Sequence, residues 1–513
     1  MASSLSAYEV QRAANIKANN ARLVELGIVE DVAAIRSAQR TQRAVKGSAV
    51  NKRAKPEAVP PRSRSLRLQN LDSEGNAIPD KPVLPSPTPE HQPKRMRKSS
   101  APLDAAKIST GATSADEASA FLSRLGPLLG SAATATPSAK TRAKSPVSTK
   151  KQKPATSMPT SAAPTLSLDL LSSLSVAEDD IAKLVPERIF SLEVHPSPSK
   201  LLIAAGDTWG RVGLWDVEAG DDAPVATFEP HSRPVAGIRV LSERPHQLLS
   251  ASHDGAVRCL DLSAGTSFVE LYRAPEDADG DYPSLHGLSR TAGAGGALAV
   301  SRSDGAVVML DPRVPSAAGA SIVRLHEKKV FSADFSPAKP WLLATSSLDR
   351  TVALWDIRMF SGSGGDSKKP KPKALTTLEH GLSVTAARFS QNGTKLLTTC
   401  NDDLLRVFSC GGSVGADSVG KWSLSQSIKH NNKTGRYLTP FQAEWVRGSD
   451  ESFVCGSMGQ PRGVDVFNCD GSDADRLDES ESVTAVVSLL AFHPTMPVLV
   501  GSNASGKAYI WRA

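Results

Sequence analysis

The chain has 513 residues, 60 of them Lys or Arg and 53 Asp or Glu, for a formal net charge of +7. That sum conceals a split: residues 1–165 carry 26 basic and 12 acidic side chains, a net of +14, whereas residues 166–513 carry 34 and 41, a net of −7. A basic arm on a mildly acidic body points to a polyanionic partner for the arm. No stretch approaches the roughly 18 consecutive apolar residues of a membrane span, and the opening MASSLSAYEVQRAANIKANN lacks the apolar core of a secretory signal. The five cysteines (Cys259, Cys400, Cys410, Cys455, Cys469) are odd in number and lack CxxC spacing, which argues against a disulfide framework or a zinc site. They read as free thiols on buried strands in a reducing compartment.

The first predicted element is a helix within residues 1–28. Ser6 is placed to cap it and Gly27 to stop it, and Tyr8, Arg12, Ile16, Asn19, Leu23 and Leu26 recur at spacings of three and four. An isolated helix of this length is marginal in water, so it reads as a docking helix that folds against a partner or the chain's own body. Residues 29–165 are rich in Ala, Ser, Pro, Thr and Lys, with few large apolar side chains. Such a composition cannot bury enough surface to offset the entropy of ordering, and the segment reads as a disordered basic arm. Within it, ADEASAFLSRLGPLLG (115–130) is patterned for no more than a transient amphipathic turn, stopped early by Pro127. Lys94, Arg95, Arg97 and Lys98 form a compact cationic cluster suited to an import receptor, which would place the chain in the nucleus.

Residues 166–187 are a lead-in to a repeat array that fills 188–513. One pattern returns seven times: an alternating strand, a small-residue strand, a turn with Asp or Gly, then a strand ending in Trp or its equivalent. The closing position is Trp215, Leu260, Leu310, Trp355, Phe408, Phe467 and Trp511, at gaps of 45, 50, 45, 53, 59 and 44. A period near 40–45 with insertions predicts an all-β, seven-bladed WD-repeat propeller, each copy a four-stranded blade. The last copy runs out at Trp511, before an outer strand. An open ring would expose sheet edges, so that strand is expected from upstream, at Ile181–Val185.

His231, His326 and His380 precede their closing positions by 29, 29 and 28 residues, and Asp254, Asp304, Asp349 and Asp402 each sit six before theirs. These are expected to form buried His–Asp–Ser/Thr–Trp networks rather than catalytic pairs. No phosphate-binding GxxxxGK[ST], GxSxG, HExxH or EF-hand pattern occurs, so the body reads as a binding platform and not an enzyme, with no cofactor and no small-molecule substrate.

Three stretches are more specific than the repeat: RIFSLEVHPSPSKLLIAAGDTWGRVGLWDV (188–217), VRLHEKKVFSADFSPAKPWLLATSSLDRTVALWDIR (323–358) and IKHNNKTGRYLTPFQAEW (428–445). With Tyr8, Glu9, Arg12, Asn15, Ile16, Asn19, Leu23, Leu26, Gly27 and Ile28 near the start, they resemble the nuclear damaged-DNA-binding WD-repeat family. The likeness is nearer to its "changed mutation rate" members than to the small subunit of the UV-damaged-DNA-binding factor. It covers 188–513 and about 1–28 and skips the arm. The resemblance implies duplex DNA binding on one face of the ring.

Loops that enter a blade and turns between its second and third strands share one face. They carry Lys328 and Lys329 (entering blade 4), Lys433 and Arg436 (entering blade 6), and Trp209 and Arg211 (inner turn of blade 1). Arg388, on the first strand of blade 5, joins this set with its direction open. Cations so gathered suit phosphate contacts with little sequence preference. The UV-damage subunit inserts an aromatic wedge from the hairpin that matches 433–437. Here those positions read Gly435, Arg436 and Tyr437, with Arg436 suited to a minor groove or phosphate and Tyr437 to stacking. On the other face, Trp355-Asp356-Ile357-Arg358 is a WDxR motif that Leu310-Asp311-Pro312-Arg313 echoes. In the family, the Arg of that motif helps dock the propeller onto a cullin-type ubiquitin ligase adaptor, so Arg358 and Arg313 are the expected adaptor contacts. The leading expectation is a nuclear DNA-binding propeller in DNA metabolism or the damage response. The alternatives are a ligase substrate receptor and a scaffold for peptides, histones or other chromatin proteins.

Overall fold

The computed structural model describes residues 115–125 and 166–512, apart from loop segments at 220–224, 264–267, 277–279, 290–295, 315–318, 361–371, 412–418, 473–474 and 479–481. The expected N-terminal helix and the Lys94–Lys98 cluster lie outside the described residues.

Among the described residues, 28 strands form seven four-stranded antiparallel sheets. Six are simple meanders. Blade 1, for example, runs β2 (Ile189–Val194), β3 (Leu202–Asp207), β4 (Val212–Asp216) and β5 (Val225–Phe228) in spatial order. The second strands are the driest: β3 (LIAAGD) and β15 (Leu342–Ser347, LLATSS) are buried at every position. Small residues are required there because each blade packs face to face on its neighbours. The resulting core is a set of clusters between blades, such as the one joining Leu214 and Phe228 of blade 1 to Ile238 and Phe268 of blade 2.

The seventh sheet closes the ring as the truncated last repeat requires. Its order is β1 (Ile181–Lys183), β28 (Lys507–Trp511), β27 (Leu499–Asn503) and β26 (Val487–Phe492), with β1 paired to β28 through Ile181↔Tyr509, Ala182↔Ala508 and Lys183↔Lys507. The strand is shorter than the expected Ile181–Val185, but the Leu184 N–H still reaches Gly506 O at 2.9 Å. Gly506 has φ +85°, and a Cβ there would lie 1.9 Å from Val185 O. Only glycine fits this seam.

Residues 115–125 depart from the expectation of a transient turn in a disordered arm. They form helix α1 (Ala115–Leu125), whose Ala118, Phe121, Leu122 and Leu125 are buried with Ala226, Phe228 and Phe268 at the outside of blades 1 and 2. The apolar stripe was legible; its landing site was not, because the docking partner is more than 100 residues away in sequence. Four cysteines are buried and Cys410 is partly buried, all as free thiols.

The repeat networks form in part. In blade 4, His326 Nδ1 meets Asp349 at 2.8 Å, its Nε2 meets Thr345 Oγ1 at 2.7 Å, and the Trp355 indole N–H donates to the same hydroxyl at 2.8 Å. A proton on Nδ1 then faces the carboxylate, and Thr345 donates to Nε2 while accepting from Trp355. Blade 2 repeats this with His231, Asp254 (3.0 Å) and Ser250 (2.9 Å), and Leu260 fills the Trp place. The other two aspartates depart from the pattern. Asp402 is held by Arg406 (2.6 Å) while His380 bonds Thr398 and Leu378 O, and Asp304 is held by Arg302 (2.6 Å). Arg406 gives Asp402 a two-point fork, whereas the loop entering blade 3 carries Ala274 at the histidine place and leaves Asp304 no imidazole to meet.

Candidate nucleic-acid interface

In an antiparallel meander, the loop entering a blade and the turn between its second and third strands fall on the same side. Backbone bonds repeat this relation around the ring. The N–H of His231, Ala274, His326, His380 and His430, each in an entering loop, donates to Gly210, Gly255, Gly305, Arg350 and Asp403 in the preceding blade's inner turn. This side is a scaffold of loops pinned to turns.

Lys328 is exposed, and Lys329 is partly buried with its Nζ 4.5 Å from the centre of the Phe331 ring. Burial lowers the pKa of Lys329. The loop is tied down: Ser347 donates to Lys329 O (2.9 Å), as does the Leu348 N–H (2.9 Å). Arg436 and Tyr437 project from residues 430–443, the segment entering blade 6, and Tyr437 is 80 % exposed. That segment is anchored across the mouth of the ring. Asn432 Nδ2 donates to Cys400 O (2.8 Å), Thr439 Oγ1 to Ile189 O (2.6 Å), and Arg188 Nη1 to Arg436 O (2.7 Å). Trp209 is also solvent-facing, at the tip of a turn whose amides bond Asp207 Oδ1.

Two expected cations are compensated where they stand. Arg211 Nε lies 2.7 Å from Glu229, and Lys433 Nζ lies 2.7 Å from Asp403. Lys328, Lys329 and Arg436 have no carboxylate partner among the described residues. The same holds for Arg188, Arg233 and Arg350, which the sequence expectation does not include. Arg233 enters blade 2 and Arg350 is in the inner turn of blade 4, so the loop-and-turn rule that finds Lys328 would have found them too.

Arg388 does not belong to this face. Its strand, β18 (Val384–Phe389), starts at the loops described above and runs away from them, so its fifth residue lies toward the opposite side. The side chain is 7 % exposed, and Nη2 donates to Gln442 (2.7 Å).

At the mouth of the ring, four rings from four blades form an arc. Phe190 meets His253 (centroids 5.4 Å), His253 meets His286 (4.5 Å), and His286 meets Phe331 (6.4 Å). Burial, helped by Lys329 and Arg233, pulls His253 down to about 4 against a smaller opposing pull from Asp254. Burial beside His253 and Lys329 holds His286 lower still. No spacing in the sequence signals this arc, because its members come from first strands and an inner turn of different blades.

On the opposite face, Arg358 and Arg313 follow the third strands of blades 4 and 3. Each folds back on the Asp two residues before it, Arg358 Nη2 to Asp356 at 2.8 Å and Arg313 Nη2 to Asp311 at 2.7 Å. Arg358 also stacks over Trp341 at 4.2 Å. The Arg313 hydrogen bonds bring Asp311 down to about 2, and those of Arg358 lower Asp356.

Fold and loops together define a seven-bladed WD-repeat propeller. The WD domain, G-beta repeat family matches residues 321–356 and 372–409, within blades 4 and 5. Among relatives, the chain is 32 % identical over 512 residues to WD repeat-containing protein 76 of Xenopus laevis, covering 99 % of this chain and 80 % of that protein. It is 29 % identical over 511 residues to the protein of the same name in Mus musculus, covering 99 % and 75 %. It is 34 % identical over 358 residues to DNA damage-binding protein CMR1 of Chaetomium globosum, covering 64 % and 65 %. The chain belongs to the WD-repeat damaged-DNA-binding family that these proteins represent.

Proposed function

We propose that this chain is a nuclear, non-enzymatic DNA-binding propeller of the damage response, gripping duplex DNA with little sequence preference. The face used is the one that carries Lys328, Lys329, Arg436, Arg188, Arg233 and Arg350. The carrying observation is that these cations share one side without carboxylate partners among the described residues, although the body as a whole has a net charge of −7. Local cations of this kind release counterions from phosphates whatever the base sequence. Tyr437 and Trp209 add exposed rings beside them, suited to stacking or groove contact. The basic arm adds further nonspecific affinity. The test is Lys328→Glu/Lys329→Glu/Arg436→Glu in the full chain, with duplex affinity measured by salt titration. A large loss with unchanged thermal stability is expected; affinity equal to that of the unsubstituted protein rejects this face.

A second reading concerns the opposite side and rests on the Arg358–Asp356–Trp341 cluster. Its exposed guanidinium is held by a carboxylate and an indole, which preorganises it for an acidic surface such as a cullin-ligase adaptor. Arg358→Glu should abolish adaptor co-purification and leave duplex binding intact; co-purification that survives the substitution removes this reading.

A further inference from the structure

The centre of the ring holds two arginines that the DNA-facing loops do not use. Arg388 (blade 5) and Arg447 (blade 6) both line a cavity of about 280 Å³. Pro337, Gln391 and Pro494 rim it, all from turns between first and second strands, so it opens on the side away from the entering loops. Trp445 and Phe492 supply apolar wall.

The polar accounting of this chamber is incomplete on one sign only. Arg388 is 93 % buried, taking its 7 % exposure, and its one side-chain hydrogen bond goes to the neutral amide of Gln442. Its Nε–H has no partner. Arg447 donates to a backbone carbonyl, Met496 O at 2.7 Å, and its Nε–H likewise has no partner. Burial lowers both guanidinium pKa values, that of Arg388 to about 10, with Arg239 adding repulsion and Asp334 and Glu193 opposing it. Asp334 and Glu444 also line the cavity, and both have interactions of their own. The unmet groups are therefore donors on cations. Arg388 is buried and Arg447 half-buried, and an anion that enters the cavity brings acceptors to both guanidinium groups.

We infer that this chamber is a binding site for an acidic peptide of a protein partner, one Asp or Glu carboxylate entering from the face opposite the DNA-facing loops to engage Arg388 and Arg447. A carboxylate matches the planar donor edge of a guanidinium, and the indole of Trp445 and ring of Phe492 accommodate the apolar stem that carries it. The volume admits a side chain and part of its backbone and leaves no room for a folded element.

The experiment uses the full chain and a fluorescein-labelled hexaglutamate peptide, with hexaglutamine as the uncharged control, read by anisotropy. Binding of hexaglutamate alone is expected, weakened about thirtyfold or more by Arg388→Met and by Arg447→Met. Because the basic arm also attracts acidic peptides, equal binding by the unsubstituted protein and both Met variants overturns the inference, as does equal binding of the two peptides. Displacement by inorganic phosphate at submillimolar concentration overturns the carboxylate assignment. If Arg388→Met fails to fold, Arg388→Lys and Arg447→Met still decide: retained affinity in both rejects the site.

Discussion

The hydroxyl of Thr439 donates to the carbonyl of Ile189, 2.6 Å away, across 250 residues of sequence. Thr439 belongs to the loop that enters blade 6 and Ile189 begins blade 1, so this bond carries the loop past blade 7 and fixes it over the mouth of the ring. Arg188 adds a second tie, to the carbonyl of Arg436 itself. Thr439→Val keeps the shape and removes the donor. It should cost about 1–2 kcal/mol of stability and reduce duplex affinity severalfold by loosening Arg436 and Tyr437. Hydrogen exchange of residues 433–438 alongside DNA titration checks this; unchanged exchange would show that the loop is held by other means.

The pairing of individual cations predicts an ordering of salt effects. Lys328→Gln and Arg436→Gln should each lower the magnitude of the salt slope of duplex binding by about 0.9. Lys433→Gln and Arg211→Gln should lower it less, because Asp403 and Glu229 already neutralise those groups at 2.7 Å. Equal slopes for all four variants would show that these ion pairs open on binding.

Closure of the ring rests on Gly506. Gly506→Ala must adopt φ near +85° and place a methyl carbon 1.9 Å from Val185 O. The closing strand has to move, at a cost of roughly 3 kcal/mol or more. Denaturant unfolding should show the loss, and faster exchange at Ile181–Lys183 should accompany it. A stability within error of the unsubstituted protein would mean the seam contributes little.

The neutral histidines of the arc couple stability to pH. The unfolded chain protonates His253 near 6.5, but the folded chain resists until about 4. As pH falls through that window, protons bind the unfolded state preferentially and stability declines, by about 3 kcal/mol for this one group. His253→Gln lacks that contribution, so its stability should vary less between pH 6.5 and 4. Parallel stability–pH curves for the two proteins would contradict the burial of a neutral ring.

Much of this was legible in the residues. The returning closing position from Trp215 to Trp511 required seven blades, and the missing last strand required a donor near Ile181. His326, Asp349, Thr345 and Trp355 assembled because their spacing matches the register of one blade. Asp402 is held by Arg406 rather than His380, a competition that spacing does not encode, and Asp304 meets Arg302 in a blade whose entering loop has Ala274 in place of a histidine. Arg388 shows the same limit. Its place on a strand was evident, but whether it met solvent depended on the direction of β18 and on Gln442 from the next blade.

The sequence by itself determined the repeat, its count and the face to which each loop belongs, since these follow from strand alternation and connectivity, which are local. Tertiary structure decided which charges stay uncompensated, where α1 docks and what lines the channel. Those outcomes depend on side chains from different blades meeting at distances that no single repeat contains.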